Sequence, residues 1–129
     1  VAEELPFENS QFELVLMVTT ICFVNNLDLT FREIYRILKP GGYLIIGFVD
    51  RDSSLGKLYQ QHKENSLFYK IATFYSTKEV VYNLSKVGFK EFDFRQTIFH
   101  GLNEIKDVEP AKEDYGEGSF VVIRARKLK

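Results

Sequence analysis

A single cysteine, Cys22, stands among 129 residues, so no internal disulfide can form and a reducing, cytosolic setting is expected. Histidine is nearly as scarce. His62 and His100 are 37 positions apart, no Cys/His group has metal-ligand spacing, and no metal site is expected. An excess of one charge is also lacking. Seventeen basic residues against eighteen acidic ones leave a formal charge of −1, which excludes a bulk-charge attraction to nucleic acid or an anionic membrane. The longest apolar stretch, Leu14 to Val24, is interrupted by Thr19 and Thr20 and falls short of the roughly 20 residues a bilayer span needs. The opening Val1-Ala2-Glu3-Glu4 has neither a basic n-region nor the apolar core of a secretion signal. It also lacks an initiating methionine, so residue 1 is not expected to be a native start. Finally, no glycine-rich, phosphate-cradling loop precedes the first strand-like run.

What is present suits one domain. With 45% hydrophobic and 15% aromatic residues the chain can bury a real core. Phe12 to Val18 is almost wholly apolar, as expected of a central strand covered on both faces. Asp28 or Thr30 is positioned to cap a helix, Thr30 and Glu33 having capping-box spacing. Phe31, Ile34, Tyr35 and Leu38 then recur on one face, leaving Arg32, Glu33, Arg36 and Lys39 to water. Lys39-Pro40-Gly41-Gly42 ends that helix, because proline lacks an amide donor and glycine accepts a left-handed turn. Tyr43 to Val49 is a second buried strand, and strand, helix, strand requires a right-handed parallel crossover.

Residues 51–75 read as one helix, with Leu55, Leu58, Tyr59 and His62 at helical spacing, followed by an irregular aromatic segment that forms a lid. Ser76 and Glu79 form a second capping box for a helix ended by Gly88. Lys90 to Phe99 alternates Phe92, Phe94, Gln96 and Ile98 against charged and polar residues, as a strand does. Asn103 to Gly118 reads as a loop, and Phe120-Val121-Val122-Ile123 as the last strand, antiparallel to its neighbour. The basic tail Arg124, Arg126, Lys127 and Lys129 reads as a solvated strand end rather than a polyanion site.

Four pieces in order carry a resemblance: Ala2-Glu3-x-Leu5-Pro6-Phe7, Phe12-Glu13-x-Val15, Glu33-x-x-Arg36-x-Leu38-Lys39-Pro40-Gly41-Gly42, and Ser76-Thr77-x-Glu79 leading to Gly88-Phe89. Together they resemble the C-terminal part of a class I S-adenosylmethionine-dependent methyltransferase of the ubiquinone/menaquinone-biosynthesis-like type, type 11. The resemblance implies an α/β, Rossmann-like methyltransferase sheet. Its strands four to seven would be present, mostly parallel with an antiparallel last strand. It implies S-adenosylmethionine as cofactor, with Ala2 and Glu3 beside the adenine and Met17, Val18, Thr19 and Thr20 near the methionine part. Val1 stands where the family often has a polar adenine contact, and Cys22-Phe23 where it often has Glu-His, so no histidine-based acid/base role is implied here.

The implied activity is methyl transfer to a small-molecule acceptor. Asp50, Tyr59, His62 and Tyr69 are the candidate substrate residues, and no catalytic residue is assigned. Each has a plainer reading. Thr19 and Thr20 could cap a strand end; Asp50 could cap the next helix; and Tyr59, Phe68, Tyr69, Phe74 and Tyr75 could pack a core as well as wall a pocket. Cys22, among Ile21, Phe23 and Val24, reads as a small buried hydrophobe rather than a nucleophile. A rival to the enzyme reading is a non-catalytic, truncated methyltransferase-like domain that acts in binding. The counterpart of the family's glycine-rich half is missing from these residues. The strand around Val15 would therefore expose an edge suited to homodimer pairing, and the 129 residues alone are expected to be inactive.

Overall fold

The computed structural model describes residues 2–61, 72–99 and 109–129. Strand β1 (Phe12–Val18) leads through a 3-10 turn (Ile21–Phe23) into helix α1 (Leu27–Ile37) and strand β2 (Leu38–Val49). Helix α2 (Ser54–Gln61), helix α3 (Thr77–Val87) and strands β3 (Lys90–Thr97), β4 (Lys112–Glu113) and β5 (Phe120–Arg126) follow. The five strands form one sheet in the order β1-β2-β5-β3-β4. β1 and β2 are parallel, and β5 pairs antiparallel with both β2 and β3. β1, β2 and β3 therefore share one direction, and the last strand is inserted against them. This is the Rossmann-like methyltransferase arrangement that the resemblance implies. The two-residue β4, which lies inside the run read as loop, is an addition to it.

Local chemistry explains the boundaries. Asn26, not Asp28 or Thr30, caps α1: its side chain accepts from the Leu29 amide at 3.0 Å. Thr30 instead points inward, its hydroxyl donating to the Asn26 carbonyl at 2.8 Å. The capping box of α3 is as its sequence implies, Ser76 Oγ accepting from Glu79 N and Glu79 Oε1 from Ser76 N. Helix α1 ends at Ile37, and β2 begins directly at Leu38. The Lys39-Pro40-Gly41-Gly42 run is therefore not a free turn. It fills a register shift between the pairs Phe12–Leu38 and Leu14–Tyr43, and Gly41 supplies the positive φ of 86° that the irregularity needs.

The core lies between one face of the sheet and helices α1 and α3. Met17, Leu44, Ile46, Phe48, Val121, Ile123 and Ala125 meet Phe31, Ile34, Val80, Leu84 and Phe89 there. The expectation that β1 is central and covered on both faces is corrected. β1 is an edge strand, and while Val15 and Met17 face the core, Leu14, Leu16 and Val18 are 55%, 63% and 51% exposed. The alternation of a strand puts these three on the opposite face, which α1 and α3 do not cover.

Glu33 and Arg36 are also not simply solvated. Arg36 grips Glu33 at 2.7 Å and donates to the carbonyls of Leu5 and Phe7, while Glu33 Oε1 accepts from Leu5 N. The pair fastens the Leu5-Pro6-Phe7 segment to α1, which explains why the two motifs occur together. The basic tail is largely neutralised within the fold. Arg126 meets Glu91 at 3.2 Å, Arg124 meets Asp93 at 3.4 Å, and buried Lys127 donates to the carbonyls of Tyr35 and Leu38 at the end of α1. Among the described residues no helix is long and apolar enough to cross a membrane.

Candidate functional site

A parallel β-α-β unit leaves open main chain at the carboxyl ends of its strands, and ligands of open α/β sheets bind there. At the end of β1 the chain turns sharply. Thr19 adopts a φ of 53° and donates its amide to Gly47 O at 2.7 Å, so the segment leaves the sheet and enters the 3-10 turn. The Thr19 and Thr20 hydroxyls both donate to Val18 O, at 2.7 and 3.1 Å. What they can offer outward is therefore oxygen lone pairs.

Beside this turn lies a cavity of about 390 Å³. Thr19, Ile21, Cys22 and Phe23 form one wall, and Phe48 and Val49 bring in the end of β2. Leu55 and Tyr59 of α2 and the strip Ala72 to Tyr75 close another side, with Ile98 and Phe120 below. The Tyr59 and Phe74 rings meet at 6.2 Å. Thr73 N donates to Cys22 O at 2.7 Å, which ties the two walls together. Burial pushes the Cys22 thiol up, and Sγ donates only to Thr19 O, at 3.5 Å. The Tyr75 phenol is pushed up by burial first and then by the nearby Glu79 and Cys22.

The sequence-derived candidates are distributed unevenly around this cavity. Thr19 and Tyr59 line it. Met17 is in the core, Val18 is exposed, and Thr20 stands at the start of the 3-10 turn. Asp50 is buried with both carboxylate oxygens engaged: Oδ1 accepts from Asp52 N at 2.8 Å, and Oδ2 from Thr77 Oγ1 at 2.6 Å and Thr77 N at 3.3 Å. Its carboxylate therefore holds the start of α3 rather than that of α2, the next helix in the chain. Ala2 is half-buried, and Glu3 Oε2 accepts from the amides of Asn25 and Asn26 at the start of α1. His62, Tyr69, Phe68, His100 and Val1 lie outside the described residues.

Sequence reasoning missed Phe48, Ile98 and Phe120 as cavity residues. Phe48 and Phe120 come from β2 and β5 and Ile98 follows the end of β3, so only the strand order brings them together. Among the described residues no group of three or more His, Cys, Asp or Glu side chains could hold a metal ion.

Residues 1–46 match the family described as "Methyltransferase domain". A crystal structure of a SAM-dependent methyltransferase from Thermotoga maritima, described as a possible histamine N-methyltransferase, superimposes with a TM-score of 0.93 at 53% identity. The match covers 98% of this chain and 61% of that one. An uncharacterised protein of Methanocaldococcus jannaschii is 46% identical over 126 residues, covering 98% of this chain and 61% of its own length. The mitochondrial 2-methoxy-6-polyprenyl-1,4-benzoquinol methylase of Xenopus laevis is 27% identical over 128 residues, 37% of its length. The chain thus spans about three fifths of the first two relatives and less of the third. Motifs, strand order and relatives agree: the chain is similar over its length to class I S-adenosylmethionine-dependent methyltransferases, whose cofactor is S-adenosylmethionine.

Proposed function

We propose that this chain is the part of a methyltransferase that receives the acceptor and the methionine end of the cofactor, and that the acceptor is a small molecule. The observation that carries this reading is the cavity directly beside the Thr19 turn, at the carboxyl ends of two parallel strands. Thr19 and Thr20, whose hydroxyl protons are committed to Val18 O, would accept from the ammonium of the cofactor's methionine part. The Ala2 main chain, fixed by the Glu33–Arg36 clasp a few residues on, would face the adenine. Bound S-adenosylmethionine supplies an activated methyl group on a sulfonium. The residues around the cavity then have to hold the acceptor in line and keep water out, and positioning of that kind accounts for a large share of such rate enhancements.

The setting we expect is cytoplasmic. Calorimetric titration of S-adenosylmethionine and S-adenosylhomocysteine into the full-length protein tests the proposal. Saturable binding, weakened about five-fold or more by Thr19→Val with Thr20→Val, is expected, one lost hydrogen bond being worth about 1 kcal/mol. No binding by the unmutated protein would remove it.

A second reading rests on the exposed Leu14, Leu16 and Val18 row. In it the chain serves as a non-catalytic binding module, with β1 covered by a second copy.

A further inference from the structure

We propose that the cavity takes an uncharged, ring-sized acceptor and that the Tyr75 hydroxyl is the hydrogen-bond donor that fixes its heteroatom, an inference that rests on the methyltransferase reading above. The first observation is the composition of the wall. Among the described residues lining it, none carries a charged side chain. Two carboxylates described on neighbouring segments are already matched elsewhere: Asp50 by Thr77 and Asp52, and Glu79 by Arg51 and the Ser76 amide. A carboxylate or ammonium entering the cavity would lose its water without gaining a counter-charge from any described lining residue, and burying an unpaired ion is strongly unfavourable.

The second observation concerns the polar groups that remain. Thr19 and Cys22 turn their donors back onto the carbonyls of Val18 and Thr19. The Tyr75 ring packs against the core and lines the cavity, and no described residue hydrogen-bonds its hydroxyl. A half-buried phenol at the cavity wall keeps a free donor to offer, and a ligand heteroatom in the cavity is a partner for it. Because its surroundings disfavour the phenolate, Tyr75 stays a donor across the neutral range. Tyr75 is also firmly held: its carbonyl accepts from Arg51 N at 3.0 Å, directly before the Ser76 capping box. An orienting donor must have this rigidity. The volume of about 390 Å³ lies at the low end for small-molecule pockets, which suits one ring rather than a fused system or a long chain.

The test uses four para-substituted toluenes of nearly equal size: p-cresol, p-xylene, 4-methylbenzoate and 4-methylbenzylamine. Each is titrated by NMR at neutral pH into the full-length protein with S-adenosylhomocysteine added. The affinity for S-adenosylhomocysteine, measured on the same sample, reports separately on the methyltransferase reading. The expected result is p-cresol at least ten-fold tighter than either ion and several-fold tighter than p-xylene. Tyr75→Phe should remove the advantage of p-cresol over p-xylene while p-xylene binds as before, which also shows that the variant is folded. Equal or tighter binding of either ion, p-cresol affinity indifferent to Tyr75→Phe, or no probe binding to a protein that does bind S-adenosylhomocysteine would overturn the inference.

Discussion

Asp50 shows how one side chain can hold two segments in place. It lies immediately after β2, and its carboxylate gathers the Asp52 amide and the first turn of α3 through Thr77. A negative group at a helix N-terminus is stabilised by the oriented amides there. Replacing it leaves buried donors without partners, so Asp50→Ala should cost about 2 kcal/mol in urea unfolding, with Asp50→Asn costing less. Lys127 does the complementary work at the other end of a helix. Its buried ammonium caps the last carbonyls of α1, at 2.7 Å to Tyr35 O and 2.8 Å to Leu38 O, although burial pushes its pKa down. Lys127→Met keeps most of the stem packing and removes the charged donor; a loss of about 2 kcal/mol, read by the same unfolding experiment, is expected.

Glu33 adds a pH dependence. Arg36 and the Leu5 amide hold its carboxyl below the usual carboxylate range. Its contribution is therefore complete above the pKa of an unfolded glutamate and fades as pH falls through the lower folded value. Glu33→Gln should be less stable than the unmutated chain at pH 7, and the gap should narrow as the pH is taken below 4.

At the scale of elements, the approach of α2 to the end of β2 depends on a missing side chain. A Cβ at Gly56 would run into the main-chain carbonyl of Asp50 and lie 2.9 Å from that of Arg51. Neither obstacle can rotate away. Gly56→Ala should therefore displace α2, withdraw Leu55 and Tyr59 from the cavity wall, and destabilise the fold by about 1–3 kcal/mol. Thermal unfolding together with the p-cresol titration would register both effects.

Elements were legible in the sequence where the signal is local. The Ser76–Glu79 box, the β1-α1-β2 crossover and the alternation of Phe92, Phe94 and Gln96 all depend on neighbours a few positions apart. The misreadings came from partners distant in the chain. Asn26 outcompeted Asp28 as a cap because Glu3 already holds the amides of Asn25 and Asn26 and fixes the chain entering α1. Glu33 and Arg36 occupy the outer face that periodicity assigns to water, yet a segment nearly thirty residues earlier packs onto them. The cavity was half legible. Tyr59, Phe74 and Tyr75 stood out as an aromatic cluster, whereas nothing near Phe120 or Ile98 announces that β5 runs between β2 and β3.

At the scale of the whole chain, the sheet ends at β1 with one face covered and the other bare among the described residues. Leu14, Leu16 and Val18 form an exposed apolar row on a strand whose outer edge has no partner among the described residues. Such an edge invites pairing. The 129-residue chain prepared alone should self-associate, and Leu16→Lys should shift it toward monomer in sedimentation at equal concentration without changing its unfolding midpoint by more than about 0.5 kcal/mol. A monomeric unmutated chain at the same concentration would contradict this.

The position of β5 in the strand order bears on biosynthesis. Phe120–Arg126 is made after β1, β2 and β3, yet it is the strand that joins β2 to β3. While the ribosome still holds that segment, the β1-α1-β2 unit and the α3-β3 unit have no common sheet, and the inner edge of β2 waits unpaired. Joining of the two units therefore waits until the β5 segment has left the ribosome, and up to that point the nascent chain presents an unpaired strand edge on which chaperones can act.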